Sequence, residues 1–334
     1  MVNSNLSIRP YISPGSHPID TGSYLIATNE INRMFKRIVM WIQSRTPGAI
    51  IVGNPRLGKT RAIRYIISAL PSIDIVGKNA AIFNIKCSKF KNVTENDFFE
   101  LFLREVNHAT PSAGKAVAKR QRLYNFLIEK GFSSSKNRVI LFLDDAQRLT
   151  ELHYEWLMDI YNELDSVGIL LTVFLVGQRE LLSQRSAFVH TNKKQIIGRF
   201  MLHDYHFKGL VSQEDIELCL KSFDEISVYP IGSEWTFTKY FFPSQFDKGF
   251  RLSTFSKELY SAFAELIREN KSRAKIEIPM FYFTGTVENA LRFLGTDGVN
   301  VNRISINDWR SCIEESGYVA AEKYSEFLLA EGER

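Results

Sequence analysis

The sequence predicts an α/β fold: a three-layer sandwich with a parallel sheet, followed by a smaller helical part. Three observations carry this. Apolar runs without polar alternation, such as Ile140–Leu143 and Val173–Val176, are separated by amphipathic helical segments. That is the pattern of parallel strands covered on both faces. One apolar run, Ala49–Gly53, enters a glycine-framed loop that leads into a helix. After Leu210 the pattern becomes mostly helical. A chain of 334 residues has room for about two domains.

The elements follow in order. Residues 1–26, rich in Pro, Ser and Gly, read as an N-terminal extended arm. A helix opens near Thr28 or Asn29, with Ile31, Met34, Phe35, Ile38 and Ile42 on one face, and Pro47-Gly48 ends it. Strand Ala49–Gly53 leads to a helix from Lys59 to Leu70, stopped by Pro71. Ala80–Lys86 is the second strand and Glu95–Asn107 an amphipathic helix. The segment 108–125 continues into a helix carrying Leu123, Phe126 and Leu127. Val139–Leu143 is the third strand, Glu151–Leu164 a helix and Ile169–Val176 the fourth strand. Residues 200–207 are a candidate fifth. Beyond them, helices are expected at 212–226, 254–270, 285–294 and 305–329, around an aromatic stretch from Trp235 to Phe255. The expected domains are a core over 27–210, a helical lid over 211–304 and an acidic C-terminal helix and tail over 305–334.

Composition excludes several classes. At 45% hydrophobic and 24% charged residues, a wholly disordered chain is excluded. No apolar stretch approaches the ~20 residues of a membrane helix, and Met1 to Pro14 lacks the apolar region of a secretory leader. Cys87, Cys219 and Cys312 fit neither a disulfide framework nor a C-x-x-C metal site, which leads us to expect reduced thiols in a cytoplasmic protein. Net charge is +5, unevenly spread. Residues 314–334 hold six glutamates against Lys323 and Arg334, a net −4. The rest is a basic body, which permits a polyanionic partner.

The motifs carry chemistry. Gly53-Asn54-Pro55-Arg56-Leu57-Gly58-Lys59-Thr60 matches G-x-x-x-x-G-K-T/S in full, between a strand and a helix. Glycines let successive backbone N–H groups point at a phosphate, and the helix start adds its positive end. Lys59 is expected on the β- and γ-phosphates and the Thr60 hydroxyl on Mg²⁺, with Arg61 next to it closing the ATP-binding segment. Strand Val139–Leu143 delivers Asp144 and Asp145 at its C-terminal end. Asp144 is the candidate metal partner, and Asp145 is placed to orient or deprotonate a water. Gln178, after the fourth strand, is a candidate for holding that water or the γ-phosphate. Arg199, before the fifth strand, can stabilise transition-state charge in a neighbouring subunit, with Arg185 as runner-up. Lys115, Lys119, Arg120 and Arg122, with no acid nearby in sequence, are the candidate DNA-binding group. Lys115 and Lys119 share a helical face, with Arg122 a turn on. The alternative is a solvated basic helix face.

Together these residues resemble AAA+ ATPases, and more narrowly the transposon-encoded regulators TnsC and TniB, relatives of ExeA-type and initiator-type ATPases. The resemblance rests on Gly53–Thr60, on Asp144-Asp145-Ala146-Gln147-Arg148-Leu149, on Leu175 to Leu181, and on Gly198-Arg199-Phe200, and covers about residues 28–300. It implies a core with strand order 5-1-4-3-2 and a small helical lid. It implies ATP and Mg²⁺ bound between subunits, and ATP-dependent assembly of a homo-oligomeric ring or filament on double-stranded DNA. It further implies a target-selection protein and a transposase as partners, and no membrane. The compact length fits the regulators beside CRISPR-guided transposition systems. In two places the sequence departs from the family pattern. Asp145 stands where glutamate is usual and is one methylene shorter, which suits slow hydrolysis or a non-hydrolysing scaffold. Glu288 stands where a lid arginine is expected, with Arg292 one turn later as substitute. A replication-initiator or clamp-loader-like ATPase is the first alternative; it calls for a separate winged-helix domain or a clear lid arginine, and we expect room for neither beyond Leu294. An ExeA-like envelope ATPase would continue into a membrane helix.

Overall fold

The computed structural model describes residues 9–270 and 275–324. In chain order the elements are α1 (Pro18–Thr21), α2 (Asn29–Gln43), β1 (Gly48–Val52), α3 (Lys59–Ala69), β2 (Ala81–Lys86), α4 (Glu95–Glu105) and α5 (Ala116–Ser133). Next come β3 (Arg138–Asp144), α6 (Glu151–Ser166), β4 (Leu170–Gly177), α7 (Glu180–His190), α8 (Lys194–Ile196) and β5 (His203–His206). The rest is helical: α9 (Gln213–Lys221), α10 (Phe237–Phe241), α11 (Pro243–Asp247), α12 (Ser256–Asn270), α13 (Met280–Leu294) and α14 (Ile306–Glu315).

The five strands form one parallel sheet in the order β2-β3-β4-β1-β5. All seven residues of β3 are buried, which explains why the strand reads as unbroken apolar sequence. Ile50, Val52, Leu141, Leu143, Val173 and Leu175 face one way and share a core with Phe98, Phe102 and Leu127 of α4 and α5 and Leu157 of α6. On the other face the Phe174 ring meets Phe142 (5.0 Å) and Trp41 of α2 (6.1 Å). The helices start where short polar side chains can cap them. Thr94 accepts from Asp97 N–H, Ser212 from Asp215 N–H, and Ser305 with Asp308 forms a reciprocal capping box.

The chain divides into two compact units. One joins residues 33–55 and 59–207 and contains the sheet; the other joins 1–32, 56–58 and 208–334. The second unit has its own core, including Phe223, Phe242, Phe263, Trp309 and Tyr318. Its aromatic stretch is therefore interior packing, with Phe237, Tyr240, Phe241, Phe242 and Phe250 all buried. A buried carboxylate organises it: Asp224 accepts from Thr238 Oγ1 (2.7 Å), Leu252 N (2.9 Å) and Ser253 N (2.9 Å).

Several expectations are corrected. The N-terminal stretch is not simply an extended arm. It holds α1, and Ile19 and Ile26 are buried in the helical unit's core. The expected strand over 200–207 shrinks to β5, because Ile197–Met201 forms a π-helical turn. α13 begins at Met280, five residues before the expected start. The C-terminal helix expected over 305–329 stops at Glu315; a turn at 316–317 interrupts it before helical geometry resumes at 318. The end of that helix, with Phe327, Leu328 and the last three glutamates, lies outside the described residues.

His17 caps α1, its Nδ1 accepting from Ile19 N–H (3.1 Å), and is buried against Tyr229, Phe237, Tyr240 and Phe241. Burial pushes its pKa down to about 4; Arg9 and Arg292 add to the lowering and Asp20 opposes it. The unfolded imidazole titrates near 6.5. Between these values the unfolded chain binds more protons, so the stability His17 contributes is complete above about pH 6.5 and is lost as pH falls towards 4. Urea midpoints at pH 7 and 4.5 should show that loss, and His17→Asn, which keeps a cap without titrating, should lose less over the same interval.

Candidate nucleotide site

The loop after β1 has the geometry its glycines predict. Gly53 N–H donates to Gly177 O (3.2 Å), tying the loop's start to the end of β4. Arg56 (φ 64°) and Gly58 (φ 99°) occupy the left-handed region, and α3 begins at Lys59. The free N–H groups of α3's first turn therefore open towards the loop. Leu57 is buried and pins the loop, while Pro55, Arg56 and Arg61 are exposed. Arg56 and Gly58 group with the helical unit: Arg56 O accepts from Phe281 N (3.1 Å) and its guanidinium donates to the Tyr282 hydroxyl.

Lys59 Nζ donates to Gly53 O (2.7 Å) and Asn54 O (2.8 Å), which holds its charge at the loop. Burial lowers its pKa, against the opposing pull of Asp144, Asp145 and Glu180. Thr60 Oγ1 donates to Asp144 Oδ2 (2.8 Å). Asp144 is buried, and its other oxygen accepts from Asp145 N–H (3.1 Å). A hydroxyl and a buried carboxylate thus converge beside the phosphate loop. Two hard oxygen donors fit Mg²⁺, which keeps several waters and takes the rest of its shell from substrate phosphates.

Asp145 turns out of the sheet with left-handed backbone (φ 57°, ψ 37°). Its carboxylate accepts from Gln147 Nε2 (3.3 Å) and lies 3.4 Å from Arg148 Nη2. Gln147 Oε1 in turn accepts from Gln178 N–H (3.3 Å). The amide of Gln147 is thus a bridge between the acid after β3 and the end of β4. Gly177 leaves space for it: a Cβ there would lie 2.2 Å from Gln147 Oε1. The sequence alone assigns Gln147 no role. The sequence signal that could have found it is the strand-ending Gly177 beside Gln178. Gln178 is brought to this group through its backbone.

Arg199 lies elsewhere. It precedes β5, whose His203 pairs with Ala49 at the start of β1, so it sits at the opposite end of the sheet from the loop. Its guanidinium lies over the Tyr161 ring (4.9 Å to the centroid). Arg185 is engaged with Asp204 (2.9 Å) and Met201 O (3.3 Å). The lid candidates are also engaged: Arg292 donates to Asp20 (3.2 Å) and Ile19 O, and Glu288 accepts from the Tyr24 hydroxyl (2.5 Å).

Three of the four candidate DNA-binding residues are engaged within the chain. Lys119 is only 3% exposed and pairs with Glu100 of α4. Arg120 pairs with Glu95, also of α4. Arg122 Nη1 donates to Thr110 O (3.1 Å) and Ala113 O (2.8 Å). These three side chains hold α5 to α4 and to the loop before it. Lys115, at the N-cap of α5, is exposed. Exposed lysines occur instead in the loop after β2, where Lys89 and Lys91 flank Phe90, whose ring lies 5.6 Å from His153.

Residues 43–184 match the family model described as AAA domain. No curated protein matches the sequence. The fold is similar to that of the Aeropyrum pernix ORC2 protein in its ADPNP–ADP complexes, at 12% identity and a TM-score of 0.58 over 90% of this chain and 71% of that one. For the ADP form of ORC2 the TM-score is 0.55 at 12% identity, over 91% and 70% of the two chains. The Walker-type ATPase PABY2304 of Pyrococcus abyssi gives 0.50 at 12% identity, over 91% and 75%. The narrower resemblance to TnsC and TniB gains no support from these matches. No helix among the described residues is long and apolar enough to cross a membrane. Residues 43–184 thus carry a P-loop AAA domain on a five-stranded parallel sheet, followed by a helical C-terminal region, a fold similar to that of the ORC2 protein.

Proposed function

We propose that this chain is an initiator-type AAA+ ATPase that assembles with copies of itself on double-stranded DNA. The observation that carries the chemistry is the Thr60–Asp144 hydrogen bond at the mouth of the phosphate loop. In this reading Lys59 leaves the loop carbonyls for the β- and γ-phosphates, and the N-terminal end of α3 receives the phosphate charge. Mg²⁺ held by Thr60 and Asp144 would neutralise charge building on the phosphates. Asp145 orients the attacking water and accepts its proton, once its carboxylate turns from Arg148; Gln147 limits where it can turn. That competition, added to the missing methylene, favours slow turnover. Arg199 faces away from its own loop, which leaves the site of a neighbouring copy as the one it would serve.

The likeness to ORC2 supports the initiator-type reading. The transposition-regulator reading, with its transposase and target-selection partners, rests on motif resemblance alone and ranks second.

Lys59→Ala should abolish ATP binding in an equilibrium titration, and with it any ATP-dependent assembly seen by electron microscopy on DNA. Asp145→Asn should keep ATP binding and lose hydrolysis by about 10²-fold or more, prolonging the assembled state; faster disassembly would remove Asp145 from its role. DNA contacts are assigned to Lys89, Lys91 and Lys115 in place of the paired α5 residues. Reversing Lys89 and Lys91 to Glu should weaken binding to duplexes of any sequence. The slope of log affinity against log salt should fall by roughly two, with ATP binding unchanged. An unaltered slope would move the DNA surface elsewhere.

A further inference from the structure

Asp145 is held by two partners of different kinds. One carboxylate oxygen, Oδ1, accepts from the neutral amide of Gln147 (3.3 Å), and the other, Oδ2, lies 3.4 Å from the Arg148 guanidinium. The turn Ala146–Arg148 follows Asp145 directly and is closed by Arg148 N–H donating to Asp145 O (3.0 Å), so the same local backbone places both partners. They differ in how firmly they are fixed. Gln147 is anchored at its far side, where Oε1 accepts from Gln178 N–H (3.3 Å). The Arg148 side chain is 41% exposed, and the hydrogen bond made by its Nη1 goes to Cys87 O (3.2 Å), beyond the end of β2. An ion pair this exposed contributes little, so Arg148 can leave the carboxylate while Gln147 stays.

The chemistry at position 147 is specific. The Gln178 N–H can only donate and an ionised carboxylate can only accept, so the side chain between them must accept at one atom and donate at another, as an amide does. A glutamate there would set acceptor against acceptor. The end of β4 leaves room for the amide, since a Cβ on Gly177 would lie 2.2 Å from Gln147 Oε1. The backbone of Asp145 is left-handed (φ 57°, ψ 37°), a conformation that its surroundings must hold in place. We propose that Gln147 is a positioning residue for hydrolysis, holding Oδ1 of Asp145 so that Oδ2, once released by Arg148, faces the attacking water. The proposal rests on Asp145 being the acid that receives the water's proton. The water oxygen bonds to the γ-phosphorus, the bond from that phosphorus to the ADP oxygen breaks with its electron pair on ADP, and the proton passes to Oδ2. Oδ1 keeps its hydrogen bond to Gln147 throughout.

Steady-state ATP hydrolysis by the full-length protein with duplex DNA present, beside an equilibrium titration of ATP, tests this. Gln147→Leu, which keeps the bulk and loses both hydrogen bonds, should lower kcat about tenfold or more and leave ATP affinity unchanged. Gln147→Glu sets a second carboxylate beside Asp145 and disfavours its ionised form. The acid limb of kcat should then move to higher pH than in the wild type, a displacement that a merely structural role would not produce. Arg148→Gln, which frees Oδ2, should raise kcat. No hydrolysis by the wild type, or undiminished hydrolysis in Asp145→Asn, overturns the role of Asp145 and this proposal together. With Asp145→Asn inactive, the proposal alone fails if Gln147→Leu keeps the wild-type kcat, if the acid limb of Gln147→Glu is unmoved, or if Arg148→Gln loses as much as Gln147→Leu.

Discussion

The hydrogen bond from Thr60 to Asp144 is short-range chemistry that depends on long-range order. Thr60 follows β1 and Asp144 ends β3, and β4 lies between the two strands. The register makes them meet: Ile51 and Asp144 both pair with Val176 across the sheet. A slip of one residue would turn the inward side chains of β3 to the other face and carry the carboxylate away from the loop. The burial of all of β3 opposes such a slip, since each of its residues is already committed to a packed face. The core therefore acts on the site by levelling the strand ends. The bridge made by Gln147 is a second consequence, because it requires β3 and β4 to finish side by side at Gly177.

Charge tells a different story from hydrophobic pattern. The segment around Lys119 looks like a polyanion surface because no acid is near it in sequence. In three dimensions the acids are supplied by α4, 19 and 25 residues earlier. Burying the Lys119 ammonium without Glu100 would be strongly unfavourable, so the pair belongs to the architecture of the helices. Arg292 shows the same logic in the helical unit, where Asp20 and a backbone carbonyl use up the cation that a lid sensor would need.

What was legible in the sequence follows from the range of the signal. Strand runs such as Val139–Leu143 and the loop Gly53–Thr60 are local patterns, and the sheet order followed from the family those motifs resemble. The Thr60–Asp144 meeting follows from that order. The role of Gln147 was not legible, because its partners are a side chain two residues before it and a backbone N–H 31 residues after it. Nor was the docking of Ile19 and Ile26, since isolated apolar residues in a Pro- and Gly-rich stretch have no period to betray a buried face. The π-helical turn at Ile197–Met201, ahead of β5, has a normal helical composition and no local marker.

The helical unit is assembled from the two ends of the chain, residues 1–32 and 208–334, with only 56–58 from between. On the ribosome the first of these ends emerges long before its partners exist. At about 5–20 residues per second, Ile19 and Ile26 wait roughly ten seconds or longer for the chain past Leu210 that will bury them. The sheet-bearing unit, by contrast, is drawn from one nearly continuous stretch and can collapse as it is made. During that interval the N-terminal segment is an unburied apolar tether on an otherwise folding protein, open to a chaperone or to the helical unit of another copy.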